Sequence, residues 1–141
     1  MDKEELRQYA KTLQYTRTII SMVTKEPDFV DERATYAAGI LDNLTNLYGM
    51  CEDFVEDKMS EEEINETKEH LNTGGNNEGL IQNFKDSCEK CCAAVKRSPR
   101  LEVKQKEGAD MHFQNTVQFY TNMLTTLTDA VNSHSNRNTI K

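Results

Sequence analysis

Residues 109–131 read ADMHFQNTVQFYTNMLTTLTDAV, and this stretch decides the fold. Its apolar side chains fall at Phe113, Val117, Tyr120, Leu124, Leu127 and Val131, at intervals of four, three, four, three and four. A helix turns once in about 3.6 residues, so these side chains form one stripe on an otherwise polar cylinder. Such a stripe is stable only when other helices cover it. The spacing therefore predicts a helix here and asks for partner helices elsewhere.

The flanks are polar. Upstream, residues 98–109 (SPRLEVKQKEGA) read as a charged linker that Leu101 and Val103 are placed to pin to the bundle, and Asp110 reads as the cap of the helix. Downstream, residues 132–141 (NSHSNRNTIK) read as a polar tail that frays.

The partners are present. Residues 3–24 carry a stripe of Leu6, Tyr9, Leu13, Ile20 and Val23, widened by Ala10 and Ile19 and interrupted by Thr16. Pro27 ends the pattern, because proline has no N–H and disfavours helix before it. Asp28 is placed to cap a second helix over 29–58, where Val30, Ala34, Ala37, Leu41, Leu44, Tyr48, Cys51 and Val55 alternate four and three without a miss. Ile40, Leu47 and Phe54 form a second row beside them, and the interior Gly39 and Gly49 suit a close approach or a bend.

Ser60 and Glu63 have the spacing of a capping box, with Met59 and Ile64 set to staple it. A short helix follows, with Ile64, Thr67 and Leu71 as its apolar edge, and it ends at Asn72-Thr73-Gly74-Gly75. Residues 72–79 read as a flexible loop. A fourth helix over 78–97 repeats Ile81, Phe84, Cys88, Cys91 and Val95, flanked by Leu80, Cys92 and Ala94, and Ser98-Pro99 stops it. The prediction is an all-α fold: one elongated antiparallel helical bundle of four to five helices over 1–131, with coiled-coil-like packing.

Composition narrows the function. The formal net charge of −7 disfavours nucleic-acid binding, which depends on neutralising phosphates. The basic run of Lys96, Arg97, Arg100, Lys104 and Lys106 reads as a solvated linker. The N-terminus, MDKEELRQYAK, is charged throughout and predicts no signal peptide, and no run predicts a membrane span. The sequons at Asn43 and Asn65 fall inside predicted helices and are discounted.

Cys88, Cys91 and Cys92 invite a metal reading. A structural zinc needs four ligands, and this single set lies mid-helix on the apolar stripe, far in sequence from His70, His112 and His134. Packing of reduced thiols explains them better, and a redox pair would belong at a helix N-terminus. No carboxylate stands three residues before any histidine, as a di-iron bundle requires. Glu61, Glu62, Glu63, Glu66 and Glu69 read as a solvated face rather than a catalytic cluster. There is no phosphate loop and no nucleophile elbow, so no catalytic, cofactor-binding or metal residues are assigned and no enzyme is expected.

Residues 101–124, LEVKQKEGADMHFQNTVQFYTNML, carry Asp110, Phe113-Gln114-Asn115, Phe119 and Leu124, with Pro99 before them. In this segment the chain resembles the non-SMC element two family, the SUMO-ligase subunit of the five/six structural-maintenance-of-chromosomes complex. The match covers about a quarter of the chain. The resemblance implies long helices laid on the coiled-coil arm of a partner. That family's ligase activity lives in a zinc-binding RING-like module with Cys-x-His and Cys-x-x-Cys ligands, and Cys88 to Cys92 do not match it.

The expectation is a non-catalytic docking subunit that binds a protein partner through that partner's long helix or coiled coil. The resemblance would place it in a chromosome-maintenance SUMO-ligase complex acting in DNA repair, intracellular and nuclear rather than cytoplasmic. The alternative is a self-contained bundle, a homo-oligomeric structural or adaptor protein. Neither reading requires a cofactor, a specific nucleic-acid sequence or a membrane.

Overall fold

The stripe of residues 113–131 finds its cover in the helix before it. The computed structural model describes residues 1–24, 31, 33–99 and 101–140. They form α1 (Lys3–Val23), α2 (Ala38–Val55, entered through a π-helical turn at Arg33–Ala37), α3 (Glu61–Asn72), α4 (Asn76–Arg97) and α5 (Val103–Ile140). Among the described residues there is no strand. The predicted Pro27 break, Asp28 cap and Val30 lie outside the described residues.

Side-chain pairs give the directions. Asn77 meets Thr128, Phe84 stacks on Tyr120, and Cys92 and Lys96 meet Asp110, so α4 and α5 run antiparallel. The Tyr9 hydroxyl bonds Thr126 and its ring packs on Phe119, whereas Val23 shares a groove with Gln105 and His112, so α1 is antiparallel to α5 as well. Leu6 and Val55 border one groove between α1 and α2, at the start of one helix and the end of the other. The result is an up-down bundle of two helical hairpins, α1–α2 and α4–α5. At 38 residues, α5 is the longest element, roughly 57 Å at about 1.5 Å per residue.

The short α3 joins the hairpins and closes one end of the bundle. Its first and last residues meet α5 within two positions of each other, Glu61 at His134 and Asn72 at Asn132, so α3 runs across α5. The predicted capping box is present: Ser60 Oγ accepts from the Glu63 amide at 3.1 Å, and Glu63 Oε1 accepts from the Ser60 amide at 3.2 Å. Ile64 and Leu71 are the buried anchors, and Met59 packs against the same core.

Outside α2 the predicted stripes turn inward. Leu13, Ile20, Leu44, Phe84, Cys88, Val95, Leu124 and Leu127 belong to one buried core. Each fully buried side chain of this size contributes about 1.5–3 kcal/mol. On α2 the structure shifts the stripe. Ala37, Ile40, Leu44, Leu47 and Cys51 are buried, whereas Leu41, Tyr48 and Val55 lie half-buried at its edge. The row read as secondary is therefore part of the core, because α2 contacts α1, α4 and α5 together. A Cβ added at Gly39 or Gly49 would meet nothing within 4 Å, so neither glycine serves a close approach.

Three boundaries differ from the sequence reading. The 72–79 loop shrinks to a 3-10 turn at Thr73–Gly75, because Gly74 takes φ +58 and Asn77 Nδ2 donates to Thr128 Oγ1, tying the new helix down at once. The 98–109 linker shortens, because α5 starts at Val103, where the Gln105 side chain reaches back to the Glu102 amide at 2.8 Å. Helix also continues past Val131, where Asn132 and Asn72 exchange hydrogen bonds across the α3–α5 contact.

Candidate functional site

The cysteines singled out by the sequence are packed. Cys51, Cys88, Cys91 and Cys92 are all buried and none forms a disulfide. Burial pushes the thiols of Cys51 and Cys92 up to about 12, and at Cys92 a hydrogen bond to Asp110 holds the proton further. Cys88 is raised too, by burial first and then by Cys91, Cys92 and Glu89. A thiol that keeps its proton is a poor nucleophile and a poor metal ligand. Among the described residues, no group of three or more His, Cys, Asp or Glu side chains is arranged to hold a metal ion.

Asp110 is not the cap it resembles in sequence. It lies inside α5, where Oδ1 accepts from Cys92 Sγ at 3.2 Å and Oδ2 pairs with Lys96 Nζ at 3.0 Å. Lys96 first, and Cys92 second, hold its carboxyl below the usual carboxylate range. Together with Phe113 and Gln114 it borders a groove of about 350 Å³ between α4 and α5, with Cys88 and Val117 beneath. Of the residues that carry the resemblance, Asp110, Phe113 and Gln114 border this groove, whereas Phe119 packs on Tyr9 of α1.

The remaining candidates are scattered. The α3 glutamates are exposed. His70 lies with Glu66 and Glu69 at a shallow surface dip, and His112 borders the opposite end of the bundle. His134 contacts Glu61 at 3.1 Å and the edge of Phe54.

The sequence reading missed the surface that stands out. Among the described residues, Tyr15, Met22, Val103 and Met111 are the exposed large apolar ones, each more than half accessible. Val103, read as a pin for the linker, is 71% exposed, because the real anchor is Leu101, which packs against the core. Tyr15 and Met22 lie seven apart on the outer side of α1. Met22 borders a groove of about 350 Å³ with Val23, Leu101, Lys104, Gly108 and His112, and Met111 precedes His112 on α5. The available signal was negative: these residues are large and apolar but fall off every stripe.

No protein-family model, curated protein or solved structure matches the chain. Among the described residues, no helix is long and apolar enough to cross a membrane.

Proposed function

We propose that the chain is a non-catalytic helical docking subunit whose α1–α5 face receives a long helix of a partner protein, as one strand of a coiled coil. The observation that carries this reading is the exposure of Tyr15 and Met22 on α1 and of Met111 on α5, with Met22 lining the groove between these helices. Neighbouring large apolar side chains left in water mark contact sites, and a helix is the shape that lies along a groove between two helices. This moves the docking surface from the stripes, which close within the chain, to the outer face.

The resemblance of residues 101–124 to the non-SMC element two family supports a finer version. The partner is then the coiled-coil arm of a structural-maintenance-of-chromosomes complex, and the setting is a nuclear SUMO-ligase assembly in DNA repair. In that setting residues 1–141 contribute docking and not ligase chemistry.

The test is a titration of the chain with a recombinant arm segment of such a complex, read as thermal unfolding. A partner at about a hundred times its Kd adds about 2.7 kcal/mol of stability, so the midpoint should climb with arm concentration. The M22D/M111D variant should unfold normally alone and lose the response. No climb at any concentration rejects this partner, and an undiminished climb in the variant rejects this face.

One observation favours a second reading. Leu44 and Leu124 are fully buried within a single chain, so the bundle needs no partner to close. A self-contained structural or adaptor protein that self-associates would show this closure and a melting midpoint that rises with its own concentration.

A further inference from the structure

The charge of the bundle is divided between its ends. Residues 52–69, the corner from α2 into α3, hold nine acidic and two basic side chains, the same net −7 as the whole chain. The rest of the chain is neutral in sum. At the opposite end, the corner from α4 into α5 sets Arg97, Lys104 and Lys106 against Glu102, beside Lys96, which pairs with Asp110.

Each end also has an apolar feature. At the basic corner Val103 opens α5 and is the most exposed large apolar residue among those described. At the acidic end a groove of about 600 Å³ lies between α1 and α2, floored by Leu6, Ala10, Tyr48 and Val55 and rimmed by Glu52, Glu56 and Asp57 with Lys3 and Arg7. Of these, Arg7 pairs with Glu4 at 2.6 Å and Glu56 pairs with Lys58 at 2.7 Å, which leaves Glu52 and Asp57 against Lys3 within a corner of net −7. The groove therefore combines an apolar floor with an acidic surround, and the Val103 corner combines an apolar tip with a basic one.

We propose that the α1–α2 groove of one copy receives the Val103 corner of a second copy, so that the chain assembles head to tail. Three arguments select this occupant. The two surfaces are complementary in both charge and polarity. Contact between two like ends would oppose like charges, which suppresses a symmetric dimer through either end. And the two features sit at opposite ends of the bundle, so one copy cannot satisfy itself. A contact between two different patches leaves one groove and one corner free in every dimer, and assembly continues into a filament or closes into a ring. The docking proposed above uses Tyr15, Met22 and Met111, whose groove shares Lys104 with this corner, and does not enter this argument.

Sedimentation velocity of the full chain at rising concentration tests it, in about 0.01 M and about 1 M salt, where the screening length falls from about 30 Å to about 3 Å. Low salt should give assemblies that grow with concentration, and high salt should return monomer. Lys104 and Lys106 are not buried, so the K104E/K106E variant should keep its helix content by circular dichroism. It should fail to assemble alone and should shorten wild-type assemblies, because its groove still accepts a corner that its own corner cannot extend. Monomer at every concentration in low salt, a salt-insensitive dimer or undiminished assembly of K104E/K106E would each overturn the proposal.

Discussion

Phe84 on α4 and Tyr120 on α5 lie face to face, with ring centroids 4.1 Å apart and planes 5° from parallel. Both rings are buried, and the pair sets the register of the hairpin between the Asn77–Thr128 and Cys92–Asp110 contacts. Phe84→Ala removes a large buried ring and leaves a cavity, so it should cost about 3–5 kcal/mol in urea unfolding. Tyr120→Phe keeps the stack and should cost less than about 1.5 kcal/mol. A loss below about 1 kcal/mol for Phe84→Ala would contradict the packing described here.

Asp110 joins the two helices electrostatically rather than by packing. Lys96 and Cys92 hold its carboxyl below its ordinary value in the folded chain. A carboxylate lowered in this way stabilises the fold above its unfolded pKa of about 3.9 and loses that contribution as pH falls through the folded value. The urea midpoint of wild type should therefore fall more steeply than that of Asp110→Asn below about pH 4. Parallel profiles for the two proteins would show that the contact is not formed in solution. The groups are partly exposed, so salt should shrink the difference.

The buried thiols work in the opposite direction. Cys51 and Cys92 are raised from 9.0 to about 12, and Cys88 is raised as well. A group raised by folding contributes stability that is complete below its unfolded pKa and is lost as pH rises through its folded one. Stability should thus decline from about pH 9 towards about pH 12. A thiol reagent at neutral pH should modify the native chain slowly, at a rate set by opening, and the unfolded chain at once. Rapid labelling of Cys51 in the native state would refute its burial.

How much of this was legible depended on whether one helix or several had to be read together. Phe113, Tyr120, Leu124, Leu127 and Val131 announce their burial by spacing alone, and Ser60 and Glu63 announce their cap, because both signals are local. Ile40 and Leu47 looked secondary, because the centre of the α2 face depends on which three helices surround it. Asp110 looked like a cap because Glu102 and Gln105, which start the helix earlier, form a weaker motif. The exposure of Tyr15, Met22, Val103 and Met111 is a property of the assembled bundle, and no periodicity encodes it. The two charged ends were readable as runs, but their opposition required the antiparallel order.

The glycines give a paired prediction whose sign follows from backbone geometry. Gly49 lies inside α2, and a Cβ built there meets nothing within 4 Å. Alanine in that position keeps the helix and restricts the unfolded chain, so Gly49→Ala should stabilise by about 0.5–1 kcal/mol. Gly74 also has open space around a Cβ, yet its φ is +58, in the left-handed region where an L side chain crowds the following carbonyl. Gly74→Ala should destabilise by about 1–2 kcal/mol, because the turn between α3 and α4 has only three residues in which to reverse the chain. Gly74→Asn should recover part of that loss, since asparagine tolerates the left-handed region better. Thermal melts of the three variants check the set. A stabilised Gly74→Ala would mean that α3 and α4 continue as one straight helix in solution, and α3 would then no longer cross α5.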